Sequence, residues 1–131
     1  MDVFVRHPDV WAKTVFILNY DENDGFFDHV PPPIPALNEQ QGLCTVSTQG
    51  ESYNGIPVGL GPRVPAIVVS PWTKGGWVNS EVLDHTSVLR FLEARLGVQC
   101  PTITPWRRSL WADLTSLFDF ALPHRTGEET R

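Results

Sequence analysis

Two uninterrupted apolar runs, KTVFILNY at 13–20 and VPAIVVS at 64–70, place the strongest limit on what this chain can fold into. Both are rich in β-branched or aromatic side chains, and neither alternates. A strand with one wet face alternates apolar and polar residues. A strand without alternation needs cover on both faces, as central strands of parallel sheets have. Pro65 falls at the start of the second run, where a missing N–H is tolerated. The two runs therefore predict buried, parallel strands.

Residues 21–63 lack clear periodicity, and a loop that long is uncommon unless it is functional or belongs to a larger frame. Within it, LCTVST reads as a short strand, and YNGIPVGLGPR contains an Asn-Gly turn signal. A Gly/Trp-rich loop, SPWTKGGWVNSE, follows the second run. DHTSVLRFLEARLGV then predicts a helix. Leu83, Val88, Leu89, Leu92 and Leu96 form its apolar stripe. Asp84, Thr86 or Ser87 can cap it, and Gly97 is a natural stop. SLWADLTSLFDF predicts a short helix, and PHRTGEETR a polar, frayed tail.

With 131 residues, 41% hydrophobic and 19% charged, the chain suits one domain with a real core. Two strands and one long helix are still too few for a doubly wound sheet, which needs neighbours and helices on both faces. The expected fold class is α/β, an incomplete domain that is the C-terminal part of something larger.

Charge narrows the function classes. The net charge is −5 and no basic run occurs, which argues against a nucleic-acid binder. No apolar stretch reaches the roughly 18 residues of a membrane span. The N-terminus MDVFVRHPDVW lacks a signal-peptide pattern, so a cytosolic location is expected of the chain as it stands. Cys44 and Cys100 have no metal spacing. They read as two small buried side chains, against the alternative of one disulfide in an oxidising compartment.

The chemistry concentrates after the first run, in DENDGFFDHVPPP. In open α/β sheets, ligands bind beyond the carboxyl ends of strands, where Asp21 and Glu22 fall. Adjacent carboxylates repel one another unless a proton or cation joins them. A hard divalent cation is their natural partner. Asn23 and Asp24 can add oxygens or hold the turn, and Gly25 frees the backbone. The plain alternative is a solvated turn, since these residues dominate turns. Two phenylalanines, an Asp-His pair and three prolines are odd equipment for one. Asp28 can orient His29, or His29 can simply shape the loop.

A second cluster, Asp84-His85-Thr86-Ser87, reads either as an N-cap or as a histidine beside a phosphate or metal at a helix N-terminus. Lys74, Gly75 and Gly76 are a weak anion contact. His7 and His124 read as surface residues. Trp11, Trp72, Trp77, Trp106 and Trp111 read as core or loop anchors, and Trp72 and Trp77 can also face a cationic head group.

NYDENDGFFDHVPPP, GLGPRVPAIVVSPWTKGGWV, LDHTSVLRFLEARLGV and ITPWRRSLWADLTSLFDF, in that order, resemble the bacterial phosphocholine-preferring phospholipase C family. That family belongs to a phosphoesterase group within the alkaline-phosphatase-like superfamily. The resemblance covers nearly all of residues 8–120. It implies metal-assisted phosphoester hydrolysis on an α/β sandwich with a mainly parallel sheet. Asp21 and Glu22 match the family's later acidic pair, which holds a divalent metal. His29 and His85 fall in family motifs and are the expected catalytic histidines. The family's N-terminal Glu-Asn pair and its Ser or Thr nucleophile block have no counterpart in the sequence.

Residues 1–122 are accordingly expected to be the C-terminal portion of a phosphoesterase domain, and 123–131 a polar tail. The expected activity is that of a phospholipase C on phosphatidylcholine-type phosphodiesters, with little or no turnover by the chain alone. The implied partners are a phospholipid or other phosphoester substrate, an N-terminal partner chain, and transient contact with a membrane surface. The family implies a secreted or periplasmic location. Two alternatives are a non-catalytic remnant or complementing subunit of a split enzyme, and an acid phosphatase-like phosphomonoesterase.

Overall fold

The computed structural model describes residues 2–35, 44–73, 78–110 and 112–121. The chain divides into two compact units, Met1–Glu22 with Val64–Asn79 and Ser116–Arg131, and Asn23–Arg63 with Ser80–Thr115.

In the first unit, the two apolar runs become strands β1 (Phe16–Asn19) and β4 (Ala66–Val69). They pair antiparallel, Phe16 opposite Val69 and Asn19 opposite Ala66. A further bond from Tyr20 N to Pro65 O, at 3.2 Å, continues the pairing. The expected parallel sheet is therefore corrected to an antiparallel ribbon.

Its faces are also less covered than the absence of alternation implied. Leu18 is 44% exposed and Ile67 51%. Burial on both faces requires layers above and below. Here helices α1 (Asp2–Arg6) and α2 (Pro8–Trp11) supply an aromatic cluster, with ring centroids 5.3 Å apart for Phe4–Trp11 and 6.0 Å for Phe4–Phe16. That cluster reaches Phe16 and leaves Leu18 in solvent.

Beyond β4, Trp72 packs on Phe120 at 5.6 Å, and its carbonyl accepts from Asp119 N at 2.8 Å. Trp72 thus anchors a loop, as its type suggested. Lys74, Gly75, Gly76, Trp77, Trp111, His124 and the tail 123–131 lie outside the described residues.

In the second unit, the Asn-Gly signal is realised. Strands β2 (Ser52–Tyr53) and β3 (Ile56–Pro57) form a hairpin. Asn54 and Gly55 have φ of 51° and 75°, the left-handed pair that a type I′ turn requires. LCTVST is not a strand where described. Ser47 Oγ accepts from Gln49 N at 3.3 Å, and Glu51 N donates to Thr48 O at 3.0 Å. These local bonds turn the backbone and compete with a ladder.

The predicted helix is α3 (His85–Leu96). Asp84 caps it, accepting from Thr86 N at 2.8 Å, while Ser87 Oγ accepts from Asp84 N at 3.1 Å. Gly97 closes it at φ 68°. The buried face is not the leucine stripe, however. Ser87 and Phe91 are buried, one turn apart, whereas Leu89, Leu92 and Leu96 are 42%, 43% and 62% exposed. Phe91 outweighs the leucines because one large ring fills a small core more completely.

The expected C-terminal helix starts earlier and splits. Helix α4 (Pro105–Leu110) opens at Pro105, with Thr104 Oγ1 accepting from Arg107 N at 3.2 Å. Proline at the first helical position is pre-set for the turn. One 3₁₀ turn, Thr115–Leu117, follows, capped by Asp113 through Thr115 N at 3.0 Å. The core of this unit is Phe91, Ile103, Trp106 and Leu114. Burying side chains of the Phe91 or Ile103 kind stabilises by about 1.5–3 kcal/mol each. Cys44 and Cys100 are free thiols and only half-buried, so the disulfide alternative is not realised and neither thiol is a fully buried core residue.

Candidate functional site

β1 ends at Asn19, and Asp21 and Glu22 follow after Tyr20, both exposed. The strand thus delivers two carboxylates to solvent. Asp24 and Gly25 take left-handed backbone, φ 53° and 75°, and turn the chain sharply. Asn23 Nδ2 donates to Phe26 O at 2.5 Å, and Phe26 N donates to Asn23 O at 3.1 Å. Asn23 therefore holds the turn. Phe26 and Phe27 are 75% and 100% exposed.

The oxygen chemistry of Asp21 and Glu22 suits a hard divalent cation. The donor count does not complete a site. Among the described residues, no group of three or more His, Cys, Asp or Glu side chains comes together to hold a metal ion. The two carboxylates fit such an ion as part of a donor set.

His29 sits in a built turn. Asp28 Oδ1 accepts from Val30 N at 3.1 Å, closing the chain around His29. His29 Nδ1 lies 3.5 Å from the same oxygen, and its side chain points into solvent. Arg63, which sequence reasoning passed over, grips Asp28 with two nitrogens. Its Nη2 donates to Oδ1 at 2.5 Å and its Nε to Oδ2. That bond to Arg63, helped by the Val30 N–H, holds the Asp28 carboxyl well below the usual carboxylate range. The only sequence signal was one arginine closing the glycine- and proline-rich GLGPR.

His85 is the first residue of α3 and is exposed. Its neighbour Asp84 belongs to a buried polar knot. Arg107 Nη1 donates to Asp84 Oδ2 at 2.7 Å. Arg107 Nε and Nη2 donate to the two oxygens of Glu51 at 3.0 and 3.1 Å. Thr104 Oγ1 adds a bond to Glu51 at 2.5 Å. This knot fixes the N-terminus of α3, and with it the backbone of His85. A second knot joins Arg108 to Glu93 through two bonds of 2.8 Å. Asp21 and Glu22 belong to the first unit, and His29 and His85 to the second.

Comparisons with known proteins agree with these blocks. The chain is 59% identical over 122 residues to the hemolytic phospholipase C of Pseudomonas aeruginosa, covering 92% of this chain and 17% of that protein. It is 56% identical over 133 residues to a non-hemolytic phospholipase C of Burkholderia pseudomallei, covering 94% and 19%. It is 44% identical over 125 residues to phospholipase C B of Mycobacterium tuberculosis, covering 92% and 24%. The chain thus spans about a fifth of the length of these relatives. Residues 1–99 match the Phosphoesterase family, and the chain belongs to that family.

Proposed function

We propose that residues 1–122 form part of a metal-assisted phosphoester hydrolase of the phospholipase C kind. Its substrate would be a phosphatidylcholine-type phosphodiester. The observation that carries this reading is the 59% identity to a phospholipase C over 92% of the chain. Asp21 and Glu22 are the carboxylates that would hold a divalent metal. When bound, such an ion polarises a phosphoryl oxygen and offsets charge in the displacement. His29 and His85 are the imidazoles that would act in the catalysis.

On this reading the chain alone turns over little or no substrate. Its described residues gather fewer than three metal-binding side chains at any one place. A partner chain carrying the Glu-Asn pair and the nucleophile block would complete the site. The location would be secreted or periplasmic, with transient contact at a membrane surface. No helix among the described residues is long and apolar enough to cross a membrane.

The test is a chimera in which this chain replaces the matching region of the Pseudomonas aeruginosa hemolytic phospholipase C. The chimera should hydrolyse phosphatidylcholine faster than a soluble phosphomonoester, and the isolated chain should match a buffer blank under a divalent-metal series. Asp21→Asn and Glu22→Gln should each cut the chimera's kcat by two orders of magnitude or more. A folded chimera indifferent to both substitutions would sink the metal assignment. A preference for the monoester would sink the phospholipase assignment.

A further inference from the structure

We propose that Arg63 is a positioning residue that sets the imidazole of His29 by clamping Asp28. The inference rests on the reading above only for the use to which His29 is put.

The loop looks loose in composition but is tied down in structure. The Asp28 side chain is 9% exposed, beside a histidine that is 85% exposed. Its carboxylate has both oxygens occupied. One meets Arg63 Nη2 and Val30 N, the other meets Arg63 Nε. A two-nitrogen fork fixes the carboxylate plane, which a single bond leaves free to rotate. With that plane fixed, Oδ1 stays 3.5 Å from His29 Nδ1. A carboxylate on that side favours a proton on Nδ1 and leaves Nε2 as the lone-pair nitrogen facing solvent. A second tie runs alongside. Leu60 N donates to Pro33 O at 3.2 Å, so residues 60–63 hold the 28–33 segment at two points. Arg63 itself is 68% exposed, so its fork is aimed at Asp28 without being part of a core.

The experiment reads the imidazole directly. The ¹⁵N spectrum of His29 is recorded in the whole chain at about pH 8.5, where an ordinary imidazole is neutral. The His29 signal is assigned by its loss in His29→Gln. The native chain should show mainly the Nδ1–H form. Arg63→Gln, Arg63→Lys and Asp28→Asn should each move His29 toward the Nε2–H form, while Arg95→Gln, on the last turn of α3, should leave it alone. Lysine keeps the charge but cannot form the fork. An unchanged spectrum in Arg63→Gln overturns the proposal. Full rescue by Arg63→Lys overturns the fork as its basis. If Arg63→Gln does not fold, Arg63→Lys carries the test.

In the chimera, Arg63→Lys should lower kcat by about 10–100-fold with KM little changed, the range seen for groups that orient a functional histidine. A tautomer shift with undiminished kcat would leave the clamp standing and remove His29 from the proposed chemistry.

Discussion

The carboxylate of Glu51, 1% exposed, receives two hydrogen bonds, one on each oxygen, from the guanidinium of Arg107, 56 residues further along the chain. Glu51 leads into the hairpin, and Arg107 stands on α4. One ion pair therefore ties a loop to a helix across the interior of the second unit. A buried pair contributes modestly as a pair, because its desolvation offsets its attraction. Losing one member is costly, because the other charge stays buried.

Arg107→Ala should accordingly destabilise the chain by about 3–5 kcal/mol. Glu51→Gln, which keeps shape and one acceptor, should cost less than Arg107→Ala. Urea unfolding followed by tryptophan fluorescence measures both. Equal, small losses would show that solvent reaches the pair.

Asp84 couples to the same guanidinium while capping α3. The cap alone contributes about 1 kcal/mol. Asp84→Ala should cost more than that, because it also strips a charge partner from Arg107. The double variant with Arg107→Ala should then cost clearly less than the sum of the singles. Additive losses would mean that the cap and the ion pair are independent.

Glu93 gives the fold an acid-sensitive side. Its hydrogen bonds from Arg108, aided by the Cys100 N–H, lower its pKa from 4.5 to about 2. A depressed carboxylate contributes stability that is complete above its unfolded pKa. That stability is lost as pH falls from 4.5 toward about 2. Asp28, held down by Arg63, acts in the same direction at lower pH still. Thermal midpoints should therefore fall across this acid window, and Glu93→Gln should flatten part of that fall. A slope unchanged by Glu93→Gln would remove the Arg108 pair as a source of acid sensitivity.

What could be read before the structure divides by the range of the forces involved. Asn54-Gly55, Asp84 and Gly97 obey local rules, so turn, cap and stop stood where their residue types demanded. Neither strand direction nor cover followed, because an unbroken apolar run names neither the pairing partner nor the layers that lie over it. β1 and β4 made an antiparallel ribbon whose Leu18 and Ile67 remain in solvent. The leucine stripe of α3 misled for the same reason. Periodicity marks an apolar face, but the seat of Phe91 decides which face is covered. Asp21 and Glu22 were legible as a pair at a strand end. Arg63 was not, because its partner lies 35 residues away and no local pattern joins them.

Gly59 shows how closely the two segments that carry the Asp28–Arg63 clamp approach. A Cβ placed there would lie 2.5 Å from Ile34 Cγ2 and 2.8 Å from Pro33 O. The second neighbour is backbone, so a side-chain rotation cannot relieve it. Gly59→Ala must push the 28–34 loop outward or displace residues 57–60, at a cost of about 1–3 kcal/mol typical of overpacking. Gly55→Ala is the control. A Cβ there meets nothing within 4 Å, and the expected loss of about 1 kcal/mol comes from its left-handed backbone alone. The two variants should separate in their effect on His29. Gly59→Ala should shift the amide signals of residues 28–34 and broaden that of His29, because the Leu60–Pro33 bond lies next to the clash. Gly55→Ala should leave those signals in place at a comparable loss of stability. If Gly59→Ala leaves the loop spectrum untouched, the close approach at Gly59 does not set the loop's position, and the Leu60–Pro33 bond and the Arg63 fork stand as its ties.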